Sequence, residues 1–294
     1  MTPDPEMDDS CRNFVHMSSL TLFLDCDDTL YANGWTTANG ITALIESYCT
    51  GTLGLAPGRA CVSAHGVRAR RAISARSCRC CAHAACPASP IARRYELYKA
   101  HGTCLAGLIA ESIPVDVEAF LAAVHPTKSV LAATISAKPA LRAMLERIDR
   151  SRVEVFVFTA SSSQHCANCL SLLGVHDLLV DAAHPIIDCR AVAQYGASGD
   201  PNDVLFRTKH DPEAFAAAQR LAGQPDASRC YLVDDSWSNI RRAAACGWHP
   251  VLIGHTARDG SDAATLVEKE HVISDVLGLE AALPQFFARA GAAQ

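Results

Sequence analysis

The chain has 294 residues, a net charge of −5 and 49% hydrophobic residues, so it can bury a sizeable core. The acidic balance gives no reason to expect a nucleic-acid partner, and no run of about 20 apolar residues predicts a membrane span. The start of the chain is acidic and contains proline, which fits neither a secretion signal nor an organelle transit peptide. We therefore expect residues 1–17 to be a disordered tail. Fourteen cysteines in a long chain of this kind favour reduced thiols and a cytoplasmic location.

Short apolar runs along the chain predict the strands of a buried parallel sheet. In chain order they are LTLFLD from Leu20, VEVFVFT (Val153–Thr159), a weaker run at DLLVDA, RCYLVDD (Arg229–Asp235) and PVLIG (Pro250–Gly254). Apolar strands that alternate with helical patterns are typical of a parallel sheet covered by helices on both faces. The expected fold class is therefore α/β with a Rossmann-like sheet.

Helix signals follow the later strands. After the second strand, the serines at 161–163 can cap a helix that Gly174 ends. Asp211 is the expected N-cap of the next helix, with Pro212 at its first position, and Gly223 closes it. The helix pattern SWSNIRRAAACG follows the RCYLVDD strand and ends at Gly247.

More than a hundred residues separate the first two predicted strands. The apolar residues in this region recur at helical spacing. The patterns are ITALIESYCTGTLGL, YELYKAHGTCLAGLIAE, DVEAFLAAV and PALRAMLERI. We interpret the first three as an inserted helical cap over residues 31–137, and the last as the helix that returns to the sheet. The α/β core then comprises residues 18–30 and 138–285, with a tail at 286–294.

The segment 57–94 inside this cap has an atypical composition. It holds eight arginines and five cysteines but no acidic or aromatic residue, which predicts irregular or disordered chain. An equally weighted alternative is a retained intron, because removing the segment joins LGLAPGRA to YELYKAHG and Val62-Ser63 can be encoded by a splice-donor sequence. Possible zinc ligands are present at Cys78, Cys80, Cys81, His83 and Cys86, but their spacing is not a paired C-x-x-C set.

The CANC run at 166–169 is interpreted as helix packing rather than a redox pair.

Two of the predicted strands end in clustered carboxylates. Asp25, Asp27 and Asp28 follow the first strand, and Asp234 and Asp235 follow the RCYLVDD strand. If these strands are neighbours, their acids meet at one edge of the sheet, which is unfavourable without a cation. Oxygen ligands with room for water and phosphate favour Mg²⁺. The alternative is that both are ordinary acidic surface loops.

The pattern Asp25-x-Asp27-x-Thr29 after an apolar strand resembles the first motif of the haloacid dehalogenase-like superfamily. The other motifs of that superfamily follow in order: Thr159 at the end of the second strand, Lys209 ahead of a helix, and VDDSWSNI from Val233. The resemblance covers residues 18–30 and 138–285. Two positions depart from the usual pattern, since Ala160 follows the threonine where asparagine is usual, and His210 follows the lysine where proline is usual.

The chemistry of these residues suits phosphoryl transfer. Asp25 can attack phosphorus to form an aspartyl-phosphate, and Asp27 can exchange protons with the leaving oxygen and the attacking water. Thr159 and the amide of Ala160 can hold phosphate oxygens at a helix N-terminus, and Lys209 can neutralise charge. The alternatives are a strand-end hydroxyl for the threonine and a solvated lysine at 209.

The resemblance also implies the metal ligands. They are the carboxylates of Asp25 and Asp235 and the backbone carbonyl of Asp27, with Asp234 in support. A carboxylate at position 27 is typical of the phosphoester hydrolases in the superfamily, and the dehalogenating members lack it. The expected activity is therefore a phosphatase with an Mg²⁺ cofactor.

Within the superfamily, DCDDTLY, YELYKAHGTCLAGL and VDDSWSNI look like the pyrimidine 5′-nucleotidase branch. This implies a small phosphorylated substrate, such as a pyrimidine nucleoside monophosphate, and cap contacts from Tyr31, Tyr95, Tyr98 and Thr103. Each of these four could equally serve ordinary cap packing. A sugar-phosphate phosphatase and a catalytically inactive binding protein, disabled by the insert, are the alternative functions. The sequence indicates neither the physiological substrate nor the oligomeric state.

Overall fold

The computed structural model describes residues 19–32, 34–55, 90–196, 207–254 and 271–288. One sheet of five parallel strands runs through this part of the chain, in the order β2-β1-β3-β4-β5. The strands are β1 (Leu20–Leu24), β2 (Val153–Val157), β3 (Cys230–Asp234), β4 (His249–Ile253) and β5 (Val272–Ile273). The α/β fold with a parallel sheet, predicted from the sequence, is confirmed.

Helices connect the strands. Between β1 and β2 lie α1 (Thr36–Gly51), α2 (Pro90–His101), α3 (Cys104–Ala110), α4 (Val117–Val124), α5 (Lys128–Leu131) and α6 (Pro139–Glu146). Between β2 and β3 lie α7 (Ser163–Leu173), α8 (His176–Leu179), α9 (Cys189–Gly196) and α10 (Pro212–Leu221). After β3 come α11 (Trp237–Ala245) and, following β5, α12 (Leu279–Ala282). No helix in these described ranges combines the length and hydropathy needed to cross a membrane.

Side chains of β1 alternate between two buried clusters, one on each face of the sheet. Leu22 and Leu24 join residues of α6 and α7, whereas Phe23 joins residues of α10 and α11. The Phe23 ring stacks on Trp248 with centroids 4.5 Å apart. Fully burying a side chain of this size stabilises a fold by about 1.5–3 kcal/mol. Both faces of the sheet therefore contribute core packing, which holds the strand ends in register.

The predicted helix signals in the sheet region act as expected. The Ser162 side chain accepts a hydrogen bond from the His165 amide at the start of α7, and Gly174 ends that helix with a φ of 76°. Asp211 caps α10 by accepting from the Glu213 amide. Left-handed backbone at the C-terminus of a helix favours glycine because it has no Cβ to clash.

One expectation about local structure is wrong. The DLLVDA run is not a strand, because its first residues form the one-turn helix α8 and Leu179 packs in the core. Short leucine runs without β-branched residues fit either structure, so tertiary packing decides. The YELYKAHGTCLAGLIAE pattern is helical as predicted, and it forms two helices because the backbone takes a φ of 82° at Gly102 and Thr103 caps α3.

The chain divides into two compact units, one of residues 42–124 and one of residues 1–41 and 125–294. In the first, the rings of Tyr48 and Phe120 meet edge to face at 5.2 Å. Residues 125–137, expected in the cap, belong to the second unit, because Leu131 and Ile135 are buried in the cluster that contains the β1 leucines. Phe286, expected in a tail, is also fully buried there.

The atypical segment and the terminal tails lie largely outside the described residues. Residues 1–18, 56–89 and 289–294 are not described, so the expectations for the first tail, for most of the Arg/Cys-rich segment and for its possible zinc ligands stay predictions. The last five residues of the segment, 90–94, are helical and open α2. The expectation of irregular chain is therefore wrong for this short stretch.

Gly107 offers a test of packing within the helical unit. A Cβ at this position of α3 would lie 2.7 Å from the Cβ and 3.1 Å from the Cα of Leu97. We expect Gly107→Ala to lower the free energy of unfolding by about 1–3 kcal/mol, because overpacking forces the two helices apart. Urea unfolding followed by circular dichroism measures this change.

Gly40 in α1 is the matched control. A Cβ there would meet no atom within 4 Å, so Gly40→Ala is expected to raise the free energy of unfolding by about 0.5–1 kcal/mol through helix propensity. Equal stabilities of the two alanine variants would contradict the packing argument.

Candidate active site

The carboxyl ends of β1 and β3 bring the predicted acidic clusters together. The strands are hydrogen-bonded neighbours with Leu24 opposite Val233, and the Asp25 amide donates to the Val233 carbonyl at 2.9 Å. Carboxylate oxygens of Asp25, Asp234 and Asp235 all lie within 4.8 Å of one another. The two acidic runs therefore form one cluster at one sheet edge rather than two separate surface loops.

Lys209 sits inside this acidic cluster. Its Nζ donates to Asp25 Oδ1 and to Asp234 Oδ2, both at 2.7 Å, and the residue is only 2% exposed. It lies two residues before the N-cap of α10, so that helix fixes its backbone. The alternative of a solvated lysine is wrong, because the ammonium is buried between two carboxylates.

The pKa values of the clustered groups are shifted by burial and by the like charges of neighbouring carboxylates. Burial raises the pKa of Asp25 to about 7; the Lys209 charge opposes this shift and the Asp234 charge adds to it. Burial and the charges of Asp234 and Asp25 raise the pKa of Asp235 well above its usual value. Burial alone would lower the pKa of Lys209, but its two carboxylate partners outweigh that effect and raise it. One lysine thus compensates a set of three acids incompletely.

The donor set fits a hard divalent cation. Within the described ranges, no side-chain hydrogen bond reaches the Asp235 carboxylate, although its neighbours Asp25 and Asp234 are both paired. Carboxylate and carbonyl oxygens are the ligands that Mg²⁺ prefers. Asp25, Asp234 and Asp235 offer the clustered carboxylates that could hold it, and the Asp27 carbonyl stays a predicted ligand.

Hydrogen bonds through Asp234 and Thr29 hold the acidic cluster in place. Asn239 donates to both oxygens of Asp234 at 3.0 and 3.1 Å, and the Ser236 amide donates at 2.8 Å. Thr29 donates to Asp25 Oδ2 at 3.2 Å and accepts from the Asp235 amide at 3.1 Å. The loops after β1 and β3 are therefore held together by side-chain hydrogen bonds.

The Asp27 side chain has its own set of donors. Tyr31 donates to Oδ1 at 2.5 Å, Ser161 donates to Oδ2 at 2.7 Å, and His165 Nε2 lies 2.9 Å from Oδ1. Burial disfavours ionisation of Asp27, but His165 and the two hydroxyl donors outweigh it and hold its pKa below the usual range. Burial likewise opposes the charge on His165, and Asp27 outweighs it to raise the pKa of His165 to about 10.

Sequence reasoning missed two of these three donors. The sequence predicts Ser161 only as a possible helix cap, and His165 gives no signal as a lone histidine on a helix. Tyr31 was expected to meet substrate as part of the cap, whereas here its hydroxyl contacts Asp27 within the sheet unit. The only available signal was the position of all three near a predicted strand end.

The predicted phosphate-binding residues line one cleft. Thr159, Ala160 and Lys209 line it together with Phe158, Val192 and Ala214, so apolar side chains form much of its wall. The Thr159 hydroxyl accepts from the Ser161 amide at 3.1 Å, so it also shapes the turn that leads into α7. The structure therefore brings the three residues together, and a phosphate contact from any of them stays a prediction.

The remaining predicted contacts lie in the helical unit. The Tyr95 side chain is outside what the structure describes, and Tyr98 is 40% exposed. The Thr103 hydroxyl accepts from the Ala106 amide at 3.1 Å and caps α3. A substrate contact from any of the three stays a prediction.

The CANC cysteines lie on α7 with both thiols fully buried. Both are buried in one cluster with Cys26, which stands between the two aspartates of the first motif, and the Cys169 thiol lies within 4.8 Å of the Cys26 thiol. All are free thiols. The CANC run thus packs α7 against the loop after β1.

Comparison with curated proteins finds a partial match. No family model matches the chain. Over 136 residues it is 25% identical to Phosphate metabolism protein 8 of Saccharomyces cerevisiae, which covers 45% of this chain and 38% of that protein. The chain thus matches well under half the length of this curated relative.

Solved structures cover more of the chain at lower identity. YfnB of Bacillus subtilis, bound to magnesium, has a TM-score of 0.49 and 12% identity over 90% of this chain and 99% of that chain. A hydrolase from Pseudomonas syringae has a TM-score of 0.49 and 15% identity over 92% and 100%. L-2-haloacid dehalogenase from Xanthobacter autotrophicus has a TM-score of 0.48 and 10% identity over the same shares.

Proposed function

We propose that this chain is a haloacid dehalogenase-like hydrolase that cleaves small phosphomonoesters with Mg²⁺, through an aspartyl-phosphate on Asp25. The observation that carries the proposal is the buried cluster at the ends of β1 and β3. There the Asp25 carboxylate lies within 4.8 Å of Asp234 and Asp235 and is paired with Lys209. The partial similarity to a yeast protein named for phosphate metabolism supports the same reaction class.

The first half of the reaction is a transfer to Asp25. A carboxylate oxygen of Asp25 attacks phosphorus, the bond from phosphorus to the leaving oxygen breaks, and that oxygen takes a proton from Asp27. Lys209, Thr159 and the Ala160 amide hold the phosphoryl oxygens and offset their charge. When bound, Mg²⁺ supplies further charge neutralisation and orients the phosphoryl group.

The second half returns the enzyme to its starting state. Water attacks phosphorus, the bond to Asp25 breaks with its electron pair returning to the carboxylate, and the proton of water passes to Asp27. In the structure Asp27 accepts three hydrogen bonds, which favours the ionised form that takes this proton. Inorganic phosphate then leaves.

A small phosphorylated metabolite is the proposed substrate class, and pyrimidine nucleoside monophosphates are the leading candidates from the motif resemblance. The carboxylate at position 27 of the first motif favours phosphoester hydrolysis over dehalogenation. Sugar phosphates are the alternative substrates. An inactive binding protein is less favoured, because the described cluster keeps its nucleophile, its lysine and its acids in contact.

Turnover of p-nitrophenyl phosphate tests the proposed reaction class. We expect Mg²⁺-dependent release of p-nitrophenolate that chelation with EDTA stops, and no chloride release from 2-chloropropionate. A panel of pyrimidine and purine nucleotides and sugar phosphates then ranks substrates. The same assay is run on chains with and without residues 61–94. Activity of the shortened chain alone would indicate that the insert disables an otherwise active fold. Chloride release, or inactivity of both chains with Mg²⁺, would contradict the proposal.

A further inference from the structure

We infer that His165 is a positioning residue, which holds the Asp27 carboxylate as the base of the second half-reaction. This rests on the proposed function. His165 lies in the first turn of α7, 138 positions from Asp27 along the chain, yet its Nε2 is 2.9 Å from Asp27 Oδ1. The contact forms only when β1 and β2 pair and α7 packs behind them.

The three donors fix the direction of both carboxylate oxygens. His165 and Tyr31 share Oδ1, and Ser161 donates to Oδ2 at 2.7 Å. A carboxylate that accepts three hydrogen bonds is held as an acceptor with little freedom to rotate. These are the requirements for a base that must meet an attacking water in one orientation.

Packing alone does not account for a histidine here. The residue is 1% exposed, and among the described residues its Nδ1 has no hydrogen-bond partner. A buried polar atom without a partner destabilises a fold, so an apolar side chain of the same size would pack better. Among the described residues, the ring makes polar contacts with Asp27 and, at 3.6 Å, with the Cys169 thiol, and its centroid lies 4.8 Å from that of the His125 ring.

The consequence for the reaction is specific to one step. Release of p-nitrophenolate needs no proton from the enzyme, because this leaving group is a stable anion. Hydrolysis of the aspartyl-phosphate does need a base. Loss of the His165 donor should therefore leave the rate of the first half-reaction unchanged. It should slow hydrolysis of the aspartyl-phosphate, so that phosphorylated enzyme accumulates.

Rapid-mixing kinetics with p-nitrophenyl phosphate and Mg²⁺ test this inference. For His165→Leu we expect a burst of about one p-nitrophenolate per enzyme, followed by turnover reduced about 10- to 100-fold, with KM falling alongside kcat. His165→Gln keeps an N–H donor at a similar reach and should restore most of the steady-state rate. Ser161→Ala removes the donor to Asp27 Oδ2 and should show a smaller burst than His165→Leu. It tests the same set of donors if the leucine variant does not fold.

His184→Gln is the matched control. His184 lies in the same unit and is paired with Glu154 at 2.6 Å, but it does not contact the cluster. It should show wild-type turnover without a burst. If the wild type turns over but neither His165→Leu nor Ser161→Ala gives a burst, or if glutamine and leucine at 165 behave alike, this inference alone is overturned. Absence of turnover both by the wild type and by the chain without residues 61–94 overturns the proposed function and the inference with it.

Discussion

Asp25→Asn is expected to reduce Mg²⁺-dependent hydrolysis of p-nitrophenyl phosphate by about a thousandfold or more. The amide oxygen of asparagine is a poor nucleophile, and it cannot form the aspartyl-phosphate. The substitution also removes one carboxylate from the proposed metal site. Steady-state rates of wild type and variant in the same Mg²⁺ buffer measure the loss.

The same variant is expected to fold at least as stably as the wild type at pH 8 without Mg²⁺. Burial raises the pKa of Asp25 from 3.8 to about 7, so this group favours the folded state at low pH and loses that contribution as pH rises from 3.8 through 7. Asparagine carries no charge to bury at pH 8. Thermal unfolding of both proteins checks this, and it separates a lost nucleophile from a lost fold.

Asp226→Asn is the control for the Asp25 variant. Asp226 caps a short turn ahead of β3 through the Ser228 amide and lies away from the cluster. Its replacement should leave turnover unchanged. An Asp25→Asn enzyme that keeps a substantial share of wild-type turnover would contradict Asp25 as the nucleophile.

Lys209→Met is expected to have the largest effect on stability. The ammonium pairs with Asp25 and Asp234 at 2.7 Å and is almost fully buried, so its removal leaves buried carboxylates without a counter-charge. Breaking a buried pair in this way costs about 3–5 kcal/mol, which lowers Tm by about 10 °C in a chain of this size. Methionine has a similar length and can keep the contact with the Phe158 ring, so the loss reports charge rather than volume.

Mg²⁺ should restore part of this stability. A cation that binds the folded cluster stabilises it by mass action, and the variant presents more uncompensated negative charge. The rise in Tm on adding Mg²⁺ should therefore be larger for Lys209→Met than for the wild type. Lys128→Met, at an exposed position of α5, is the control and should unfold like the wild type. A Lys209→Met protein with wild-type Tm and no Mg²⁺ response would contradict the electrostatic account.

Local patterns predicted most of the sheet. Continuous apolar runs located β1, β2, β3 and β4, and the acids that follow β1 and β3 predicted the cluster, because parallel strands place their carboxyl ends at one edge. The DLLVDA run was mistaken for a strand because a few leucines have no period that separates strand from helix. The two-residue β5 carried too short a pattern to be predicted.

The contacts around Asp27 and Lys209 were beyond local patterns. The motif resemblance marked both residues and Asp234, but it did not predict the hydrogen bond from Lys209 to Asp234. Ser161 and His165 reach Asp27 across 134 and 138 positions of chain. Such contacts depend on which strands pair and how a helix rotates against them, and a single sequence does not record either.

The strand order has a consequence for how the chain folds. β1 spans Leu20–Leu24, yet its partners on either side begin only at Val153 and Cys230. During synthesis this apolar strand emerges more than a hundred residues before its first neighbour, while the compact unit of residues 42–124 is contiguous and can form early. Closing such long loops makes folding slow, and until β2 arrives the unpaired edges of β1 are open to aggregation. Chaperone demand in this protein should therefore centre on its earliest strand.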